Sequence, residues 1–303
     1  MKRLFLTVVA GLAGCGAGVG IGDECSLTSP CGDGAVCDFT DPAGPVCIDA
    51  DGDLDGDGIS NALDFCNHAP GGAFDEDRDG IGDDCDRCPI APPASSPDRD
   101  SDEVDSPCDP DPDVDGDQIV AYSGFNEPLP ANWMATAAWE IVGGEAIARS
   151  TDIVNNEVLV APLPLVSQHV AVFSQYRIDA LDPNATSHRA GVVTVDQRPA
   201  GGTDVTCAGV RTGGEDNLLL DTTVNVASDS FMIDLFDDAG LYRLTLALDN
   251  SNAGCAMAAG SETGATTATT NGEAPNQGGL TAKGVTARFQ YLLVVQRGFV
   301  DQN

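Results

Sequence analysis

Apolar and polar residues alternate along the second half of the chain. The runs VAVFSQYRIDAL and YRLTLALDN each set their larger apolar side chains on one side: Val170, Val172, Tyr176 and Ile178 in the first, and Leu244, Leu246 and Leu248 in the second. A run near the end alternates through Val285, Ala287, Phe289, Tyr291 and Leu293. Successive side chains of a strand point to opposite faces, so these runs predict β-strands with one buried face.

Turn signals separate these runs. The segment AWEIVGGEAIARS predicts a hairpin whose two strands meet at Gly143 and Gly144. Residues 261–278 are rich in Thr, Gly, Ala and Asn, and they predict a long flexible loop. Helical periodicity is lacking throughout this part. Residues 118–303 therefore predict a mainly β fold, an antiparallel β-sandwich of the jelly-roll type.

Residues 49–117 differ sharply from the sandwich segment in composition. They hold 23 acidic residues and three arginines, which gives about −20 of the chain's net charge of −34. They also have only nine large aliphatic or aromatic residues, too few to bury a core. We expect metal ions and disulfides to order this segment as an irregular stalk.

The acidic residues recur with the spacing of a calcium loop. In a twelve-residue EF-type loop, oxygen ligands occupy positions 1, 3, 5, 7, 9 and 12, and Gly occupies position 6. The first copy has Asp53, Asp55, Asp57, Ile59, Asn61 and Asp64 at the ligand positions, with Gly58 at the sixth. The second copy has Asp75, Asp77, Asp79, Ile81, Asp83 and Asp86, with Gly80 at the sixth. Both copies predict Ca²⁺ sites.

A third copy is less complete. It keeps Asp98, Asp100, Asp102 and Asp109, but Glu103 replaces the glycine and Ser106 occupies position 9. It predicts a weaker site. A fourth start at Asp113, Asp115 and Asp117 has Gln118 at position 6 and predicts at most a partial site.

Proline and glycine interrupt the sequences that flank the loops, CNHAPGGAF and CPIAPPASSP, so these cannot be EF-hand helices. The segment instead resembles the thrombospondin type 3 repeat. The residues that match the pattern of this repeat are Asp64-Phe65-Cys66, Gly82-Asp83-Asp84-Cys85-Asp86 and Cys88-Pro89. The resemblance implies calcium held by side chains and backbone carbonyls, with consecutive cysteines bridged. It implies the disulfides Cys66–Cys85 and Cys88–Cys108. The alternative for 49–117 is a solvated acidic spacer.

The N-terminus carries an export signal. Met1-Lys2-Arg3 precede an apolar run from Leu4 to Ala13, which is too short to span a bilayer. Leu12-Ala13-Gly14-Cys15 resembles a bacterial lipobox, which implies cleavage after residue 14 and a lipid on Cys15. Removing Cys15 leaves ten cysteines, an even number that suits an oxidising compartment. The alternative is an ordinary cleaved signal.

Residues 15–48 form a cysteine-rich segment whose pairing the sequence leaves open: Cys25, Cys31, Cys37 and Cys47 allow three arrangements. Cys207 and Cys255 are the only cysteines of the sandwich segment. We expect them to bridge neighbouring strands. The sandwich segment resembles concanavalin-like or laminin-G-like domains. The motifs that match are Phe125-Asn126, Trp139-Glu140-Ile141-Val142-Gly143-Gly144 and Gly279-Leu280-Thr281-Ala282.

No catalytic motif emerges. The Glu-x-Asp-x-Glu signature of concanavalin-like glycosidases is absent, and the three histidines lack zinc spacing. We expect the chain not to be an enzyme, and its charge argues against nucleic-acid binding. The leading hypothesis is a calcium-binding lipoprotein of the cell surface or outer membrane. In it a calcium-rigidified stalk presents the sandwich for adhesion or for binding a glycan or protein ligand. The alternatives are a glycan-active enzyme with an unrecognised site and a structural spacer lipoprotein.

Overall fold

The computed structural model describes residues 19–92, 98–151, 154–164, 167–197, 203–229, 236 and 240–298. All regular elements in those ranges are β-strands, and no helix there could cross a membrane. The predicted signal peptide and Cys15 lie outside the described residues. The chain divides into two compact units, Met1–Pro89 and Ile90–Asn303. The division falls inside the acidic segment, so the first two loops belong to the first unit and the third loop to the second.

The first unit contains one small sheet and several disulfides. Strand β1 (Ala35–Asp38) pairs antiparallel with β2 (Val46–Asp49). The pairing that the sequence left open is Cys25–Cys37 and Cys31–Cys47, and Cys66–Cys85 is present as the resemblance implied. Cys88 and Cys108 are also disulfide-bonded. Most fully buried apolar positions described in this unit are cysteines, so covalent links replace an apolar core.

The second unit is an antiparallel β-sandwich, as predicted. Its strands are β3 (Asp117–Ser123), β4 (Met134–Ala135), β5 (Trp139–Ile141), β6 (Ala146–Arg149), β7 (Glu157–Pro162), β8 (His169–Leu181), β9 (Ser187–Asp196), β10 (Thr203–Thr212), β11 (Glu215–Asp221), β12 (Val226–Asp229), β13 (Tyr242–Asp249), β14 (Asn252–Ala259), β15 (Glu262–Thr269), β16 (Gln277–Lys283) and β17 (Val285–Arg297). One sheet has the order β12-β11-β10-β9-β16-β7-β4 and the other β15-β14-β13-β8-β17-β6-β5, with β3 also paired to β17.

Side chains from the two sheets meet in one core. The alternating residues predicted to face inward on β8 and β13 all belong to it. Aromatic rings fill its centre, where Tyr176 lies 5.3 Å from Phe289 and 5.7 Å from Tyr242 between ring centroids. The predicted hairpin is β5 and β6, and Gly143 and Gly144 have the positive φ angles that such a tight connection requires.

Strand β17 departs from the predicted alternation. Its register against β8 shifts between Phe289 and Tyr291. A bulge adds one residue and reverses which side chains face inward. Leu292 and Val294 therefore join the core in place of the predicted Tyr291 and Leu293.

The prediction of a flexible loop over 261–278 is wrong. Strand β15 occupies eight residues of that stretch and pairs with β14 along its whole length, and β16 begins at Gln277. It is the edge strand of its sheet, and most of its residues are at least partly exposed. Because an edge strand with polar side chains shows little apolar alternation, the sequence pattern did not reveal it.

The disulfide Cys207–Cys255 joins the two sheets of the sandwich. Cys207 belongs to β10 and Cys255 to β14, which lie in different sheets, so the expectation of a bridge between neighbouring strands is wrong. Both cysteines alternate with outward residues and face the core. A link across the core restrains the unfolded chain and holds the two layers together.

Replacing both Cys207 and Cys255 with Ala should lower the free energy of unfolding of the sandwich by about 2–5 kcal/mol. Both tryptophans of the chain, Trp133 and Trp139, lie in this unit, so tryptophan fluorescence in urea reports its unfolding. The matched control, a double Ala variant of Cys25 and Cys37, should leave that transition in place. An unchanged midpoint in the Cys207 and Cys255 variant would contradict the prediction.

Candidate metal-binding loops

The three predicted loops have the same backbone conformation. In each loop the carboxylate at position 1 accepts hydrogen bonds from the backbone N–H groups at positions 4 and 6. The donors are Gly56 and Gly58 to Asp53 (2.8 and 3.1 Å), Arg78 and Gly80 to Asp75 (2.7 and 2.9 Å), and Ser101 and Glu103 to Asp98 (2.7 and 3.0 Å). The repeated spacing in the sequence is therefore a repeated structure.

The residues at positions 4 and 6 adopt the left-handed backbone conformation in every loop. Gly58 and Gly80 have φ angles of 98° and 96°, which glycine adopts without a Cβ clash. In the third loop Glu103 takes the same conformation with a φ of 74°. A non-glycine residue there stores backbone strain on the order of 1–3 kcal/mol. The third loop thus keeps its shape although its sequence lacks the glycine.

The carboxylates at positions 1, 3 and 5 converge. In each loop one oxygen from each of the three residues lies within 4.8 Å of the others. The three groups are Asp53 with Asp55 and Asp57, Asp75 with Asp77 and Asp79, and Asp98 with Asp100 and Asp102. Such proximity of negative charges is unfavourable unless a cation or protons offset it.

Several of these oxygens are buried and lack a hydrogen-bond partner among the described residues. At position 3 they are Asp55 Oδ2, Asp77 Oδ2 and both oxygens of Asp100. At position 12, Oδ1 of Asp64 and of Asp109 accepts the N–H group two residues later at 2.7 Å, while Oδ2 is buried and unpartnered. Asp64 is 4% exposed and Asp109 is 6% exposed. A buried carboxylate oxygen without a partner is costly, so these atoms mark where a ligand would bind.

The side chain at position 9, predicted as a ligand, also makes hydrogen bonds within its loop. The Asn61 side-chain oxygen accepts a hydrogen bond from the backbone N–H of Leu54 at 2.9 Å, and its amide nitrogen donates to the carbonyl of Asp49 at 2.8 Å. Asp83 similarly accepts from the N–H of Glu76 at 2.9 Å. These side chains close the loop. At position 7, the N–H groups of Ile59 and Ile81 each donate to the carboxylate at position 5 at 2.7 Å.

At position 12 of the second loop, Asp86 accepts a hydrogen bond from the N–H of Cys88 at 2.8 Å, the same contact as in the other two loops.

Sequence reasoning missed two residues beside the loops, Asn67 and Gly72. Asn67 is 2% exposed and its Oδ1 is buried with no hydrogen-bond partner in the ranges that the structure describes, while its amide nitrogen donates to the carbonyl of Asp64. Gly72 N–H donates to Asp84 at 2.9 Å. Neither residue stands at a position of the EF-type spacing.

Burial and mutual repulsion raise the pKa values of several loop carboxyls. Burial raises the pKa of Asp77 to about 7, and the Asp79 and Asp75 charges act in the same direction. Burial also raises the pKa of Asp83 to about 7, with help from Glu76, Asp75 and Asp84. In the third loop, burial and the charges of Asp117, Asp102 and Asp100 raise the pKa of Asp109 to about 7. Without a cation these sites hold protons near neutral pH.

Calcium affinity is expected to fall between about pH 8 and about pH 6. The pKa values of Asp77, Asp83 and Asp109 near 7 lie above the ordinary aspartate value of 3.8, so the metal-free folded chain binds protons that the unfolded chain does not. Metal-free stability therefore rises as the pH falls through 7, and calcium must displace the protons. Calorimetry at about pH 6.5 in buffers of different ionisation enthalpy measures this release. Equal affinity at both pH values with no proton release would contradict it.

Calcium fits the donor set of the loops. All side-chain donors there are oxygens, mostly carboxylates, which suits a hard cation and disfavours metals that prefer nitrogen or sulfur. Magnesium binds all-protein sites poorly because it retains its waters. A separate mixed group lies beside β1, where His68 Nε2 is hydrogen-bonded to Asp38 Oδ2 at 2.9 Å and lies 3.8 Å from Asp41 Oδ2.

Several carboxylates of the sandwich are engaged in ion pairs. Glu145 lies 3.0 Å from Arg177 and 2.9 Å from Arg288, and Asp216 pairs with Arg211 at 2.7 Å. On the outer face of the seven-stranded sheet, Arg189 lies 3.9 Å from Asp221. Asp204 is on the same face, and burial together with the Asp221 charge raises its pKa.

No protein-family model matches the chain, and no curated protein matches its sequence. Solved structures similar to it include the winged bean acidic lectin complexed with methyl-α-D-galactose, at a TM-score of 0.45 and 7% identity over 60% of this chain and 98% of the lectin. They also include the xyloglucan PUL GH43B of Bacteroides ovatus (TM-score 0.44, 12% identity) and a xylan β-1,4-xylosidase of Bacillus halodurans (TM-score 0.41, 12% identity). The match covers 58% and 57% of this chain but 39% and 38% of those two chains.

The prediction that the chain is not an enzyme is contradicted by the glycoside hydrolases among these structures. That prediction relied on the missing Glu-x-Asp-x-Glu signature, which describes two carboxylates on one strand. Carboxylates can equally be brought together from different strands, so the missing signature excludes only one arrangement. At these TM-scores the likeness assigns no activity to this chain.

Proposed function

We propose that the chain is an exported calcium-binding protein whose three loops at 53–64, 75–86 and 98–109 each hold Ca²⁺. One observation carries the proposal: at position 3 of all three loops, buried carboxylate oxygens have no hydrogen-bond partner within the described part of the chain. A solvated acidic spacer would leave such oxygens in water. Calcium supplies the positive charge and the coordination that these oxygens lack.

Equilibrium dialysis of the full chain against calcium, with excess magnesium and physiological salt, tests this proposal. We expect saturable binding that magnesium does not displace. Asp55→Ala and Asp77→Ala should each remove one site. The matched control is Asp51→Ala, which removes the same charge from an exposed residue outside the loop positions. Uptake that follows total charge and falls equally in all three variants would refute the proposal.

Export and lipid anchoring through Cys15 form the second part of the proposed function. The Leu12-Ala13-Gly14-Cys15 motif supports it, and so does the cysteine count, because the other ten cysteines are all disulfide-bonded. Ten cysteines in disulfides suit an oxidising compartment and leave Cys15 for a lipid. Mass spectrometry of the mature N-terminus tests this part. An unmodified terminus away from Cys15 would refute it.

A second candidate function is glycan binding by the sandwich, at the cell surface or outer membrane. It is favoured by the charged group on the outer face of the seven-stranded sheet, where Arg189 and Asp221 stand close together beside Asp204. A few placed polar groups on a shaped surface can fix the orientation of a sugar. A glycan array and a glycoside hydrolase panel with Arg189→Leu, and Arg149→Leu as control, test this candidate. Equal results for both variants would exclude this face.

A further inference from the structure

We propose that Asp117 is an additional ligand of the third loop and that it couples calcium in this loop to the stability of the β-sandwich. The proposal rests on calcium binding by the loops. Asp117 is the first residue of β3 and belongs to the incomplete fourth copy of the spacing. Its companions Asp113 and Asp115 are exposed, and Asp113 pairs with Arg99 at 2.6 Å.

Asp117 is joined directly to the third loop. Its backbone N–H donates a hydrogen bond to Asp102 Oδ2 at 2.7 Å. The Asp117 side chain is 1% exposed, and its Oδ1 is buried without a hydrogen-bond partner among the described residues. The Asp117 charge also acts on Asp109 at position 12 of the loop. The third loop lacks a carboxylate or amide at position 9, so a carboxylate from outside the loop would complete its donor set.

The other oxygen of Asp117 is tied to the sandwich. Arg297, the last residue of β17, places Nη2 2.8 Å from Asp117 Oδ2 and also lies 3.3 Å from Asp111 Oδ2. Arg297 and Asp117 are cross-strand partners in the β3–β17 ladder. An arginine that holds a metal-ligating carboxylate fixes its orientation, and losing such support typically weakens metal binding about 10- to 100-fold. Asp117 thus connects the third loop, through Asp102, to the first and last strands of the sandwich, β3 and β17.

The test compares full-length variants by calorimetric calcium titration and by tryptophan fluorescence in urea. In the wild type, calcium should raise the urea midpoint of the sandwich. Asp117→Ala should lose one calcium site and that shift, whereas Asp115→Ala, a control that removes the same charge two residues away, should keep both. Arg297→Gln should keep the site with about 10- to 100-fold weaker affinity.

Asp100→Ala removes the same site from within the loop and covers the case in which Asp117→Ala does not fold. It should lose the calcium-dependent shift while the first two loops still bind. Full calcium stoichiometry and an unchanged shift in Asp117→Ala, or an unchanged shift in Asp100→Ala, would overturn the inference alone. A wild type that binds no calcium would instead overturn the proposed function.

Discussion

Removing calcium is expected to lower the free energy of unfolding of the first unit by about 5 kcal/mol, for two loops that each hold calcium at about 100 times its dissociation constant. The effect is large because this unit has little apolar core and its buried carboxylates repel one another without a cation. The disulfides restrain the chain but do not offset that repulsion.

Hydrogen exchange measures this loss at the backbone. The N–H groups of Gly58 and Gly80 donate to the carboxylate at position 1 of their loops, so their protection reports loop closure. Protection should fall about 1,000-fold or more in chelator, which corresponds to the loss in free energy. A double variant, Asp57→Ala with Asp79→Ala, should exchange quickly even in calcium. Equal protection of the wild type with calcium and with chelator would contradict the prediction.

Gly279→Ala is expected to destabilise the sandwich by about 3 kcal/mol or more. A Cβ at this position in β16 would lie 2.0 Å from the carbonyl oxygen of Leu159 and 2.7 Å from the Cα of Val160. Both atoms belong to the backbone of the neighbouring strand β7, so the clash cannot be relieved by turning a side chain. The strands must separate or shift.

Gly254→Ala is the matched control for this substitution. Gly254 lies in β14, and a Cβ there would meet nothing within 4 Å. Since alanine is favoured over glycine within a strand by about 0.5–1 kcal/mol, this variant should be at least as stable as the wild type. Urea unfolding followed by tryptophan fluorescence compares the two. Similar midpoints would contradict the packing of β16 against β7.

Much of the fold could be predicted from the sequence where apolar periodicity was strong. Strands β8 and β13 alternate cleanly because one face packs in the core, and the hairpin of β5 and β6 was marked by its two glycines. The edge strand β15 was missed because its side chains are largely exposed and polar. The bulge in β17 was missed because apolar residues line both faces of that strand, so alternation could not show which set faces the core.

The candidate loops were predictable for a different reason. In calcium loops of the EF type the spacing is fixed by the need of one ion for several oxygens from a short segment, and the same spacing is visible here as a pattern of Asp. The spacing could not show that Asn61 closes the loop, since that role depends on a contact with Leu54 seven residues earlier. Nor could it indicate Asp117, whose burial depends on Arg297 at the far end of the chain.

A calorimetric calcium titration of the chelator-treated full chain tests the central claim most directly. We predict saturable binding at three sites, the loss of one site in Asp57→Ala and of another in Asp79→Ala, and full binding in the control Asp51→Ala. Weak, salt-sensitive uptake that these substitutions barely change would contradict the account and leave residues 49–117 as an acidic spacer.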